Sequence, residues 1–129
     1  MKTCKLLICT LLALLFMSGI VFAITFPNQQ VSLSWSENKK YSDAVFGTWK
    51  QFAAQNANSS AEPMHACAQI FNGSIWINDT YSSTKVAKGS FVDNVTTSTT
   101  QYPVSWRLMI EPYISTYGCY GYGWIWLAQ

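Results

Sequence analysis

Met64-His65-Ala66-Cys67-Ala68-Gln69-Ile70-Phe71-Asn72-Gly73-Ser74-Ile75-Trp76-Ile77 is the stretch on which the fold turns. Two apolar runs flank Asn72-Gly73, and both of those residues tolerate positive φ, which makes the pair a strong β-hairpin signal. A two-residue turn there sets Phe71 against Ser74, Ile70 against Ile75, Gln69 against Trp76, Ala68 against Ile77 and Cys67 against Asn78. Strand side chains alternate faces. Ala66, Ala68, Ile70, Ile75 and Ile77 then share an apolar face, read as core. His65, Cys67, Gln69, Phe71, Trp76 and Asn78 share a wetter one.

Strand patterning continues on both sides of the hairpin. Val31-Ser32-Leu33-Ser34-Trp35 alternates apolar and polar residues. Val104, Trp106, Leu108 and Ile110 alternate with Ser105, Arg107, Met109 and Glu111, and Pro112 ends that run. One or two short strands are expected around Gly89, between Lys85 and Val95, and a last strand from about Tyr117 to Leu127. Asn56 to Pro63 reads as a polar loop. Tyr41 to Ala54 has a different period. Tyr41, Val45, Trp49 and Phe52 lie on one helical stripe, and Ser42 or Asp43 could cap it, although Gly47 weakens the helix. About six strands make the chain mainly β: a small two-layer β-sandwich with one short helix. The alternative is an α+β arrangement, with that helix packed on an antiparallel sheet.

The N-terminus sets the compartment. Lys2 and Lys5 precede an apolar run from Leu6 to Phe16, and Val21-Phe22-Ala23 closes it with small residues. That is the layout of a signal peptide over residues 1–23, removed after Ala23 together with Cys4 and Cys9. A retained anchor is the competing reading, because Leu6 through Ile24 carries no charge. Trimming the 129-residue chain leaves a single secreted β-rich domain over residues 24–129. Without Lys2 and Lys5, the eight Lys and Arg fall to six, matching the six Asp and Glu. A chain of near-zero charge has no electrostatic footprint for nucleic acid, and that class of partner is excluded. Abundant rings beside many hydroxyls suit an extracellular β-domain and argue against disorder.

In an exported domain, Cys67 and Cys119 are expected to form a disulfide. Such a link across 52 residues would stabilise the fold by about 4 kcal/mol on a chain-entropy argument. The triplets starting at Asn58, Asn72, Asn78 and Asn94 are candidate N-glycan acceptors, each in an expected turn or loop.

The C-terminal run Tyr117-Gly118-Cys119-Tyr120-Gly121-Tyr122-Gly123-Trp124-Ile125-Trp126-Leu127 places Tyr120, Tyr122, Trp124 and Trp126 on one strand face. Four rings in a row could stack sugars, sit at a membrane interface, or fill the core. Parity ties this choice to the disulfide. If Cys119 joins Cys67 within one sheet, the rings point inward; if the link crosses between sheets, they point out. The inward placement is the expectation.

Catalytic equipment is sparse. His65 is the single histidine, so any Ser-His-acid triad would have to use it, and a histidine-rich metal site is excluded. No nucleophile elbow, zincin helix, Cys-x-x-Cys or phosphate loop is present. The six carboxylates are scattered, and no pair for glycoside hydrolysis can be inferred. The chain is therefore read as a non-enzyme without cofactor. Its expected role is a secreted binding protein that recognises a cell-surface glycan or protein through aromatic contacts, with Tyr120, Tyr122, Trp124 and Trp126 as the candidate ligand-binding residues. A small secreted toxin or antimicrobial protein acting on membranes is the alternative, disfavoured by the absence of net positive charge. A hydrolase using His65 is a third.

Overall fold

The computed structural model describes residues 28–127. The leader over residues 1–23, with Cys4 and Cys9, lies outside the described residues. Ten strands follow in chain order: β1 (Gln29–Leu33), β2 (Lys40–Tyr41), β3 (Val45–Gly47), β4 (Lys50–Asn56), β5 (Met64–Phe71), β6 (Trp76–Asn78), β7 (Thr84–Val86), β8 (Phe91–Thr96), β9 (Val104–Pro112) and β10 (Gly121–Leu127). They form two antiparallel sheets that pack face to face. The first has the order β1-β10-β4-β8. The second has the order β2-β9-β5-β6, with β3 also on β9 and β7 also on β5. The two-layer β-sandwich read from the sequence is the fold. The count rises from six to ten because short segments share the edges of β5 and β9.

The inward face of each strand follows the two-residue period. Val31, Leu33, Phe52, Ala54 and Ile125 from the first sheet meet Val45, Met64, Ala66, Ala68, Val86, Trp106, Leu108 and Ile110 from the second. Trp106 is fully buried and donates its ring N–H to the Gly47 carbonyl at 2.8 Å. A buried indole keeps its donor satisfied in this way. Gly121 and Gly123 leave room for the facing sheet. A Cβ at Gly123 would lie 2.5 Å from Leu108 Cδ2, and one at Gly121 would lie 2.6 Å from Met64 Sδ.

No α-helix forms among the described residues, so the helix expected over Tyr41–Ala54 is replaced by β2, β3 and β4. Val45 and Phe52 do face the core, but as strand residues paired with Trp106 and Val95. Cross-strand partners some 50 residues away outweigh the local helical stripe, whose propensity Gly47 already lowers.

The hairpin forms with its register displaced by two residues: Gln69 faces Asn78, Ile70 faces Ile77 and Phe71 faces Trp76. Gly73 takes φ 97°, but Asn72 does not adopt positive φ, so the two-residue turn is not made. Instead Asn72 Oδ1 accepts hydrogen bonds from the backbone N–H groups of Ser74 and Ile75, both at 2.9 Å, and holds a four-residue loop. A displacement of two keeps every side chain on its expected face. Burial nevertheless differs, because Ala66, Cys67 and Ala68 are all buried while Ile75 and Ile77 are exposed beyond the sandwich edge.

Candidate functional site

β10 carries the aromatic row. Gly121, Gly123 and Ile125 are buried against the second sheet, so Tyr122, Trp124 and Trp126 stand on the opposite, outer face in line with Tyr120. The inward placement expected from parity is therefore corrected. The three β10 rings are half-buried and Tyr120 is 40% exposed.

The row is ordered by its own contacts. Tyr120 and Tyr122 share a hydrogen bond between hydroxyls at 2.6 Å, with their rings edge to face at 5.5 Å. That bond holds the Tyr122 phenol proton and pushes its pKa upward. Tyr122 and Trp124 lie nearly parallel, 27° apart in plane with centroids at 6.2 Å. Both flanking strands supply uncharged neighbours. Ser32 and Gln55 stand across from Tyr122, Gln30 and Ala53 from Trp124, and Gln51 from Trp126. Rings for stacking and amides or hydroxyls for hydrogen bonds thus share one surface.

The thiols also depart from expectation. Cys67 and Cys119 are both buried and separate, so the expected disulfide is absent. Cys119 belongs to the core between the sheets, with Met64, Ala66 and Ala68 of β5. Alternation along β5 puts Cys67 on the outer face of the second sheet, where its Sγ approaches the Asp79 carbonyl at 3.5 Å. The strand itself lies between the two sulfurs. Burial, with Asp79 nearby, pushes the Cys67 thiol up to about 11, and burial raises Cys119 as well. Both therefore remain protonated and poorly nucleophilic at neutral pH.

The four glycan-acceptor candidates are all exposed. Asn58 and Asn72 lie in loops as expected. Asn78 ends β6 and accepts a hydrogen bond from Gln69 Nε2 at 2.7 Å. Asn94 lies within β8 rather than in a loop, with φ 53°, opposite the register shift between Phe52 and Ala54 in β4. Asparagine is one of the few residues that suit such a left-handed position in a bulge.

Two constellations on the outer face of the second sheet were not legible in the sequence. Arg107 is sandwiched between Tyr41, 3.8 Å from its ring centroid, and Trp76, at 4.3 Å, while its Nε donates to Gln69 Oε1 at 2.7 Å. The other centres on His65. Glu111 of β9 and Lys85 of β7 pair with it from either side. His65 Nδ1 is 3.0 Å from Glu111 Oε1, and His65 Nε2 is 2.8 Å from Ser83 Oγ. Burial tends to raise the Glu111 carboxyl, but hydrogen bonds from Lys39 and His65 outweigh it and hold the group below its ordinary value. A carboxylate only accepts, so Nδ1 carries a proton; in the neutral imidazole Nε2 then accepts from the Ser83 hydroxyl. A cleft of about 280 Å³ opens here, lined by His65, Ser83, Lys85, Glu111, Pro112 and Tyr113. No group of three potential metal ligands gathers among the described residues.

No family model matches the sequence, and no curated protein matches it. Solved structures with a similar layout do exist. The Yersinia pseudotuberculosis-derived mitogen is 10% identical, with 81% of this chain and 86% of that one covered, at a TM-score of 0.40. Chitosan-binding module 1 from a Paenibacillus sp. IK-5 chitosanase/glucanase is 12% identical, covers 74% of each chain and has a TM-score of 0.44. TmCBM61, solved in complex with β-1,4-galactotriose, is 10% identical, with 78% of this chain and 70% of that one covered, at a TM-score of 0.37. At these identities the likeness is one of layout and carries no ligand with it.

Proposed function

We propose that this protein is an extracellular binding protein for neutral glycans, and that the outer face of its first sheet is the binding surface. The observation that carries this reading is the aromatic row. Tyr122, Trp124 and Trp126 on the inner strand β10, with Tyr120 just before it, point away from the core next to Gln30, Ser32, Gln51 and Gln55. Pyranose rings present apolar C–H faces that stack on aromatic rings, while their hydroxyls need donors and acceptors at the ring edges. Uncharged flanks suit a sugar without carboxylate or sulfate. Export rests on the leader-like segment over residues 1–23.

Tryptophan fluorescence of the purified protein, titrated with soluble neutral polysaccharides and separately with lipid vesicles, tests the reading. The expected result is a saturable shift with at least one polysaccharide and none with vesicles. Trp124→Ala should weaken that binding by at least about tenfold, equivalent to ~1.4 kcal/mol, while the far-ultraviolet spectrum stays unchanged. A response to vesicles alone, or a folded Trp124→Ala variant that binds as tightly as the parent, overturns it.

A further inference from the structure

On the face of the sandwich opposite the aromatic row, we propose a second site of a different kind: a serine-hydrolase triad of Ser83, His65 and Glu111 acting on small acyl esters. Its elements are in the order the chemistry requires. The hydroxyl is 2.8 Å from one imidazole nitrogen, and the other nitrogen is 3.0 Å from a carboxylate oxygen. Both lie within the reach expected of a nucleophile, its base and the group that orients the base. Three neighbouring strands build it. His65 on β5 is flanked by Glu111 on β9, and Ser83 immediately precedes β7, which pairs with the other side of β5. Lys39 anchors Glu111 Oε2 at 2.8 Å, leaving Oε1 on the imidazole.

Position favours reaction over mere packing. Ser83 is exposed at the mouth of the cleft, while Glu111 and His65 are partly buried behind it. Tyr113 packs edge-on to His65 at 6.4 Å and carries Lys85 Nζ 4.6 Å from its ring centroid. Lys85 lines the same cleft and gives it a positive charge, which favours a substrate on which negative charge develops. At about 280 Å³ the cleft sits at the small end of ligand sites and fits an acetyl-sized acyl group.

The reaction closes on water alone. Ser83 Oγ bonds to the ester carbonyl carbon as its proton passes to His65 Nε2. The tetrahedral adduct collapses, the alkoxy C–O bond breaks, and the departing oxygen takes the proton from His65. Water then adds to the acyl carbon, giving a proton to His65. The bond between that carbon and Ser83 Oγ breaks, and Oγ takes the proton back from His65, releasing the carboxylic acid and regenerating the hydroxyl. Ester and water become acid and alcohol with no redox step.

The test uses the purified protein, a fluorophosphonate probe read by peptide mass spectrometry, and hydrolysis of 4-nitrophenyl acetate. A single adduct on the Ser83 peptide is expected, with ester hydrolysis above the buffer rate. Ser83→Ala, a change at an exposed loop position, should abolish both. His65→Gln and Glu111→Gln should slow labelling by at least about 100-fold. Folded parent protein that gains no adduct at Ser83 overturns the proposal, as does a Ser83→Ala variant that hydrolyses the ester at the parental rate. Equal labelling of a folded His65→Gln variant also overturns it, and if that variant fails to fold, Ser83→Ala decides alone.

Discussion

At Gly123 there is no space for a methyl group. Leu108 Cδ2 would sit 2.5 Å and Val31 Cγ1 3.2 Å from an added Cβ, and both belong to the packed core. Gly123→Ala is expected to lower stability by about 1–3 kcal/mol through overpacking, read as a lower urea midpoint with an unchanged slope. Cys67 and Cys119 make a second prediction at this scale. With β5 between their sulfurs, peptide mapping after denaturation without reductant should find both alkylated. A Cys67–Cys119 linked peptide pair would contradict the observed arrangement. In the native state, both thiols should resist alkylation at pH 8, because burial keeps them protonated and covered.

β9 and β10 show how an element's two faces separate enclosed rings from outward ones. Trp106 on β9 is wholly enclosed, and Trp106→Ala should cost about 3–5 kcal/mol. Trp124 on β10 is half-buried on the outer face, so Trp124→Ala should cost much less, and parallel urea melts of the two variants check the contrast. The alternation that marks these elements was readable from residue order. Val31 and Leu33 on β1 and Trp106, Leu108 and Ile110 on β9 face inward as their period requires. The hairpin faces were also readable, although the loop geometry at Asn72 displaced the register by two. The outward aim of the aromatic row was not, because the parity argument leaned on a Cys67–Cys119 disulfide that the structure does not contain. Nor was the Tyr41–Ala54 segment, whose partners Trp106 and Val95 lie far along the chain. The Ser83–His65–Glu111 constellation depends on the registers of β7 and β9 against β5, and no local pattern encodes these.

Across the whole molecule, three carboxylates link its stability to acid. Lys40, with the Ser34 backbone and hydroxyl, lowers Glu37 to about 2. Ser115, through its hydroxyl and backbone N–H, and the Ile114 N–H together hold Glu62 below its ordinary value despite some burial. Glu111 is lowered by Lys39 and His65. Each is more acidic folded than unfolded, so its stabilisation is complete above the unfolded value of 4.5 and is lost as pH falls through the folded value. With these three groups dominant, Tm should hold nearly level from pH 7 to about 5 and decline progressively below about 4.5, measured by thermal melts at fixed ionic strength. Glu62 matters most for shape, since it fastens the segment at Ile114 and Ser115 to the loop before β5.

β10 is the final strand in chain order among the described residues, yet it lies between β1 and β4. Until β10 itself has been made, those two neighbours therefore stay unjoined, and no rings can be ranged in line between them. The aromatic array and the sealed interior come into being together, so a copy that lacks β10 can display neither.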